Sequence, residues 1–198
     1  MANVDRPNGA LLTGNLSDGG VSGHVREFEV DASAASIFPG DFVILEADGK
    51  VAPATAGATE IVGVCVGVSP WKPAKVGGVS GNNVSTNNIN LMLKYHATGA
   101  AGTVLVHADP DAIYEMQEDG DTTDLALADI GTNVDILATA GSTVTGMSQQ
   151  EIDSDSKVTT TAQLRIVGFV DRVDNEVGDY ARWLVKVNES HYTKLTGV

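Results

Sequence analysis

Short apolar runs separated by tight-turn signals constrain this chain more than any other feature. The clearest stretch is 40–67, GDFVILEADGKVAPATAGATEIVGVCVG, where two apolar runs flank an Asp-Gly dipeptide at 48–49 and a loop of small residues. Asp-Gly between such runs is a strong β-hairpin signal. Pro53 cannot donate a ladder hydrogen bond and predicts an edge strand or a strand end. Gly63 and Gly67 predict a bulge or the close approach of another backbone.

Similar runs recur along the rest of the chain at close spacing. Aromatic residues are only 5% of the sequence, while Val, Ala, Gly and Thr are abundant, which favours short strands and turns over long helices. The segment 122–131, TTDLALADIG, has the pattern of one short helix. We therefore predict a mainly β protein of about nine or ten short strands, folded as a small β-barrel or sandwich. Further strands are expected at 24–32, 89–97, 102–109, 162–172 and 181–190.

The length of 198 residues suits one domain. Residues 1–23 are rich in Gly, Asn, Asp and Ser, and predict an extended N-terminal arm that is either disordered or ordered against a partner. Residues 24–198 form the predicted single β-rich domain, with polar loop excursions at about 70–88 and 141–160. The candidate core residues in the opening stretch are Phe42, Ile44, Val62, Val64 and Val66.

The charge of the chain argues against two classes of partner. The formal net charge is -14, and the twelve Lys and Arg residues are scattered rather than clustered. Binding to nucleic acid or to an anionic membrane needs clustered cations, so neither is expected. No apolar run approaches the ~18 residues that span a bilayer. The first twenty residues lack the basic start and apolar run of a signal peptide, and synthesis in a cytoplasm is expected.

Residues with reactive or metal-binding side chains form no recognisable catalytic set. The single cysteine, Cys65, lies in an apolar strand pattern and predicts an inert buried thiol. The acidic stretch 109–124 does not have the spacing of an EF-hand loop, so a solvated turn is favoured over an improvised calcium site. We predict no enzyme, no catalytic or metal site and no cofactor. The four histidines have no zinc-ligand spacing: His24, His96, His107 and His191.

Several motifs together resemble a known family. The opening MANVDRPNG is followed by FPGDFV, by a G-x-V-x-x-A-x-A-G turn and loop, and by an I-V-G-V strand. Later segments, including VLVHADPDAIYEMQEDG and LADIGTNVDI, fit the same pattern. This series is similar to the capsid decoration proteins, also called cement or head-stabilising proteins, of tailed bacteriophages. The early motifs occupy 1–9, 38–43, 49–57 and 61–67.

The resemblance implies a fold and a function. It implies a β-tulip-like sandwich that binds the outer surface of the assembled phage head, made in the host cytoplasm and then carried on the virion. There it would bridge major capsid protein subunits and stabilise the capsid, with a homotrimer as the expected form. The alternative is a surface-displayed receptor- or glycan-binding β-module, which would need clustered exposed aromatics such as Trp71 and Tyr95. Trp71 is open to an interface or a local core role, and Trp183 is expected in the core. The capsid-contact candidates are Val4, Arg6, Pro7, Asn8, Leu11, Leu12 and Trp71.

Overall fold

The computed structural model describes residues 3–17, 24–57, 60–69, 93–99 and 101–193. These residues form eleven strands and one 3-10 helix, Leu127–Asp129. The strands are β1 Leu11–Asn15, β2 Val25–Val30, β3 Phe42–Leu45, β4 Val51–Pro53, β5 Ile61–Val68, β6 Gly102–His107, β7 Ala112–Gln117, β8 Asn133–Leu137, β9 Glu151–Val158, β10 Leu164–Phe169 and β11 Arg182–Val187.

The strands make two antiparallel sheets. The first sheet has the order β1-β7-β11-β10-β8-β9, and the second has the order β2-β6-β5-β3-β4. The predicted mainly β sandwich with little helix is confirmed. Neither sheet closes into a barrel within the described residues, so the barrel alternative is wrong. The edge strands β2 and β4 of the second sheet approach each other without pairing. Lys50 Nζ spans this gap to Asp31 Oδ2 at 2.6 Å.

The main core lies between the two sheets, because alternate residues of each strand point into it. From the first sheet it takes Tyr114 of β7 and Trp183 of β11, both fully buried. From the second sheet it takes Phe42 and Val64, which are register partners. The ring of Phe42 meets that of Tyr114 edge-on at 5.7 Å. The core position predicted for Trp183 is confirmed.

A second apolar cluster fills the other face of the second sheet. Val43 and Cys65 point into it, one residue out of phase with Phe42 and Val64, and Val62 joins them at the bulge in the β3–β5 pairing. Ile37, just before β3, is fully buried in the same cluster. Both faces of β3 and β5 are therefore buried, which explains their nearly continuous apolar sequence.

Two buried glutamines link the sheets. Gln150 Oε1 accepts a hydrogen bond from Phe42 N at 2.8 Å. Gln163 Oε1 accepts from Ile136 N at 3.0 Å, and its Nε2 donates to Thr55 O at 3.0 Å. Buried amides with satisfied hydrogen bonds fix how one sheet lies on the other, which apolar contacts alone specify less well.

All but one of the local predictions for 40–67 described below are confirmed. Residues 48–49 turn the β3–β4 hairpin, and Pro53 ends β4 at the sheet edge. Register shifts mark bulges in β3–β5 pairing and at Cys65/Gly67 in β5–β6 pairing. A Cβ on Gly63 would overlap the carbonyl group of His107. Val66 is the exception, because it lies at the bulge and is 43% exposed rather than in the core.

The N-terminal segment differs from the predicted arm. Residues 3–17 are extended, but they belong to the domain, since β1 pairs with β7 at the edge of the first sheet. Leu12 packs on the main core, and Ala10 is buried within it. This edge strand is short and has no apolar alternation, which is why the sequence around it resembles a free arm.

Three further expectations need correction. The predicted loop 141–160 contains β9, whose polar sequence is held by pairing with β8 and by burial of Ile152. The predicted helix at 122–131 is reduced to Leu127–Asp129, where the Asp129 carboxylate accepts from Ala126 N at 2.8 Å. The described part of the strand expected at 89–97 makes only an isolated bridge, between His96 and Ile37. The loop expected at 70–88 lies outside the described residues.

Candidate functional site

The N-terminal segment is fastened to the outer face of the first sheet by Arg182. Its Nη1 donates to Asn8 Oδ1 at 3.0 Å, and its Nη2 donates to Arg6 O at 2.9 Å. The same guanidinium lies 3.6 Å from Glu115 Oε1. Burial among these groups lowers the pKa of Arg182. Arg182 therefore joins the segment to β7 and β11 together.

Gln117 makes a second attachment. Its Oε1 accepts from Arg6 N at 3.0 Å, and its Nε2 donates to Glu151 Oε1 at 3.0 Å. Burial raises the pKa of Glu151 to about 7, and the nearby Asp5 adds to the shift. The backbone of the segment thus covers a layer of buried polar groups, each of which has a partner on the segment or on the sheet.

A tight junction follows at Gly9. Gly9 has a φ of 69°, and a Cβ there would overlap Gly40 O and Ser148. Ala10 N donates to Gly40 O at 2.9 Å, and Ser148 N donates to Pro39 O at 3.0 Å. This glycine junction, formed by Gly9, Gly40 and Ser148, brings the MANVDRPNG and FPGDFV motifs together. Only backbones without side chains can approach so closely.

The β10–β11 turn, 170–181, is fixed at the same end of the molecule as residues 3–6. Asn175 is buried, and its Nδ2 donates to Val170 O at 2.7 Å and to Arg182 O at 3.0 Å. Asn3 Nδ2 donates to Glu176 O at 2.7 Å, and Glu176 N donates back to Asn3 Oδ1 at 2.9 Å. The turn and the start of the described chain therefore form one ordered unit.

This unit carries three exposed valines. Val4 is 72% exposed, Val173 97% and Val177 46%. Val4 follows Asn3 directly, and Val177 follows Glu176, so the Asn3–Glu176 hydrogen bonds place them on the same end. We call Val4, Val173 and Val177 the valine tip. Val173 belongs to the same turn as Val177, and exposed apolar side chains on one ordered unit are typical of an interaction surface.

Five acidic residues lie in the two segments that carry the valine tip, 3–6 and 170–181. The neighbouring Asp179 carboxyl raises the pKa of Asp124. Tyr180 has a φ of 60°, and its ring lies on Gly120, where a Cβ could not fit. A non-glycine residue in the left-handed region is strained, and such strain clusters at functional sites.

The structure divides the predicted contact residues into two groups. Val4 is exposed at the valine tip, and the side chain of Arg6 is exposed beside it. Asn8 is turned inward to Arg182, and Leu11 and Leu12 are half-buried along β7. The remaining candidates are the half-buried Pro7 and Trp71, which lies outside the described residues.

Val173 and Val177 were not among the predicted contacts. The sequence signal was the turn VDNEVGD, where valines stand between acids in a segment with no apolar alternation. Tyr95, named for the glycan-binding alternative, is half-buried and stacks on Phe38 with ring centroids 4.5 Å apart.

The other ionisable groups serve local structure. Burial raises the pKa of Cys65 to about 12, which makes its thiol a poor nucleophile. Glu118 is fully buried, and its Oε2 accepts from Leu125 N at 2.9 Å. Burial raises the pKa of Glu118 to about 8. Asp119 Oδ1 accepts a hydrogen bond from Ser154 Oγ at 2.7 Å.

Three of the histidines make side-chain contacts with different partners. His24 pairs with Asp109 at 3.0 Å, and His191 pairs with Glu60 at 3.3 Å. His107 lies 3.1 Å from the hydroxyl of Tyr114. Over the described ranges, no three His, Cys, Asp or Glu side chains have an arrangement that could hold a metal ion.

A shallow groove of about 460 Å³ lies elsewhere, between the 3-10 helix and the end of β9. Lys157 and Asp129 pair at 3.1 Å on its wall. No helix in the described part of the chain is long and apolar enough to cross a membrane.

The chain was also compared with known proteins. No family model, curated protein or solved structure matches it.

Proposed function

We propose that this protein is a capsid decoration protein that binds the outer surface of an assembled phage head and bridges major capsid protein subunits. The observation that carries the proposal is the glycine junction. The two motifs on which the family resemblance rests most, MANVDRPNG and FPGDFV, pack against each other at Gly9 and Gly40.

The architecture suits this function physically. A bridging protein stabilises a capsid by binding the assembled lattice more tightly than its separated parts. It must resist deformation while it does so, and a sandwich with two buried clusters and linked sheets is stiff. Residues 3–9 are held by Arg182 and Gln117, so the exposed Val4 has a fixed position on this body.

A homotrimer on a local three-fold axis is part of the proposal. In such an arrangement each copy repeats the same contact with one capsid subunit. The net charge of -14 disfavours close approach of free copies, so we expect capsid binding to promote assembly of the trimer. Sedimentation velocity of the pure protein, with and without heads, measures this directly.

The experiment mixes purified protein with expanded heads that lack it, then measures co-sedimentation and the temperature at which the heads release DNA. We expect saturable binding and a raised disruption temperature. Failure to sediment with the heads, or binding without protection, contradicts the proposal.

A further inference from the structure

We propose that the valine tip and its acidic rim are the surface that docks on the capsid, and that they fit a protein surface where Lys or Arg side chains surround an apolar patch. This inference rests on the proposed function and names the chemistry of the partner surface. The acidic rim consists of Asp5, Asp171, Asp174, Glu176 and Asp179.

Exposure is the first argument. Val173 is 97% exposed in a turn whose backbone is fixed by Asn175. A solvent-exposed valine contributes little to folding, and burying it against a partner removes its apolar surface from water. Val4 and Val177 directly follow Asn3 and Glu176, which are hydrogen-bonded to each other, so both exposed valines lie close to this contact.

Charge is the second argument. Residues 3–6 and 170–182 hold the five carboxyl groups of the rim and three guanidinium groups, those of Arg6, Arg172 and Arg182. Arg172 pairs with Glu115 at 3.0 Å and with Asp174 of the rim at 3.4 Å, and Arg182 holds the N-terminal segment. The rim therefore presents net negative charge to a partner, which favours a basic surface and disfavours an acidic one.

Pre-organisation is the third argument. Asn3, Asn175 and the Tyr180 ring on Gly120 fix the turn before any partner arrives. Binding then costs little loop entropy, so a small apolar surface is enough for a useful affinity. The exposed valines favour a protein partner over a free metal ion, because binding a metal ion would not bury their apolar surface.

The test uses the head-binding assay with the full chain and three variants. In Val173→Ser/Val177→Ser we expect affinity for heads to fall about tenfold or more, because the apolar contact is lost. In Asp171→Asn, which removes an exposed charge of the rim, we expect about a threefold loss and a weaker dependence on salt. The control Val144→Ser changes a valine that is 81% exposed elsewhere, and we expect no loss.

The outcomes separate the two proposals. If the wild-type chain binds heads and the double valine variant binds equally well, the tip inference is overturned and the proposed function stands. If the wild-type chain does not bind, the proposed function is overturned. Binding that EDTA abolishes while the valine variant binds normally would assign the rim to a metal ion, and a changed oligomeric state of the valine variant would assign the tip to subunit contacts. Either result overturns the inference.

Discussion

The glycine junction and the valine tip each take one residue from the N-terminal segment, Gly9 and Val4, which are only five residues apart but lie in opposite environments. At Gly9 there is no room for a Cβ, whereas Val4 is 72% exposed. Between them, Arg6 and Asn8 bond to Arg182. The end of the segment at Gly9 therefore holds the fold together, whereas the end at Val4 is available for a partner.

The largest expected effect is at the junction. Gly9→Ala places a Cβ against Gly40 O and Ser148 and forces a strained φ of 69° on alanine. We expect a loss of about 3 kcal/mol in the free energy of unfolding, measured by chemical denaturation. Gly14→Ala is the matched control, since no atom lies within 4 Å of the added Cβ. Equal effects of the two substitutions would show that the junction is not tightly packed.

The link between the two regions comes next. Arg182→Ala removes the donors to Asn8 and Arg6, and leaves Glu115 with Arg172 alone. We expect a loss of about 2 kcal/mol, with faster hydrogen exchange at residues 3–9. Arg165→Ala, which removes one bond to Asn133 from an exposed arginine, is the control. Unchanged exchange at 3–9 in Arg182→Ala would contradict the fastening role.

A smaller effect is expected at the buried carboxyl of Glu118. Its pKa is about 8 in the folded chain, against an ordinary value of 4.5, so the folded state holds a proton that the unfolded state releases. Stability should therefore fall as pH rises from 4.5 to 8 and then level off.

Glu118→Gln keeps an acceptor for Leu125 N without the charge. We expect it to gain about 1 kcal/mol over the wild type at pH 8 and to reduce the fall in stability with rising pH, of which Glu151 keeps a part because burial also raises its pKa. Thermal denaturation between pH 5 and pH 9 measures both, with the exposed Glu46→Gln as the control. A variant less stable than wild type at pH 8 would mean that the ionised carboxylate is the favoured form.

The smallest effect on stability belongs to the valine tip. Val173→Ser changes a side chain that is 97% exposed, so the free energy of unfolding should move by less than about 0.5 kcal/mol. Chemical denaturation of this variant checks the claim. A larger loss would mean that the tip contributes to the fold and that the two regions do not differ as described.

Local signals allowed much of the fold to be predicted from the sequence. The β3–β4 hairpin follows from residues 48–49, and the buried Phe42 and Val64 follow from alternation within short runs. The sequence does not indicate the edge strands β1 and β9, because β1 is short and stands in a Gly- and Asn-rich segment, β9 is polar, and both are ordered by pairing with β7 and β8.

The candidate surface was predicted only in part, because it is assembled over long distances in the sequence. Asn3 meets Glu176 across 173 residues, and no pattern near either residue indicates that contact. Val4 was included through the family resemblance, while Val173 and Val177 became visible only when the β10–β11 turn was placed beside residues 3–6. Leu11 and Leu12 show the reverse case, since apolar residues predicted as contacts are half-buried along β7.

The most direct test of the account is an electron cryo-microscopy reconstruction of expanded heads saturated with the wild-type protein. We expect density for the sandwich on the outer surface, with residues 3–6 and the 170–181 turn against a basic patch of the major capsid protein. The Gly9–Gly40 junction should lie within the bound subunit, away from the contact. Heads without added density, or bound subunits whose valine tip faces solvent, would contradict the account.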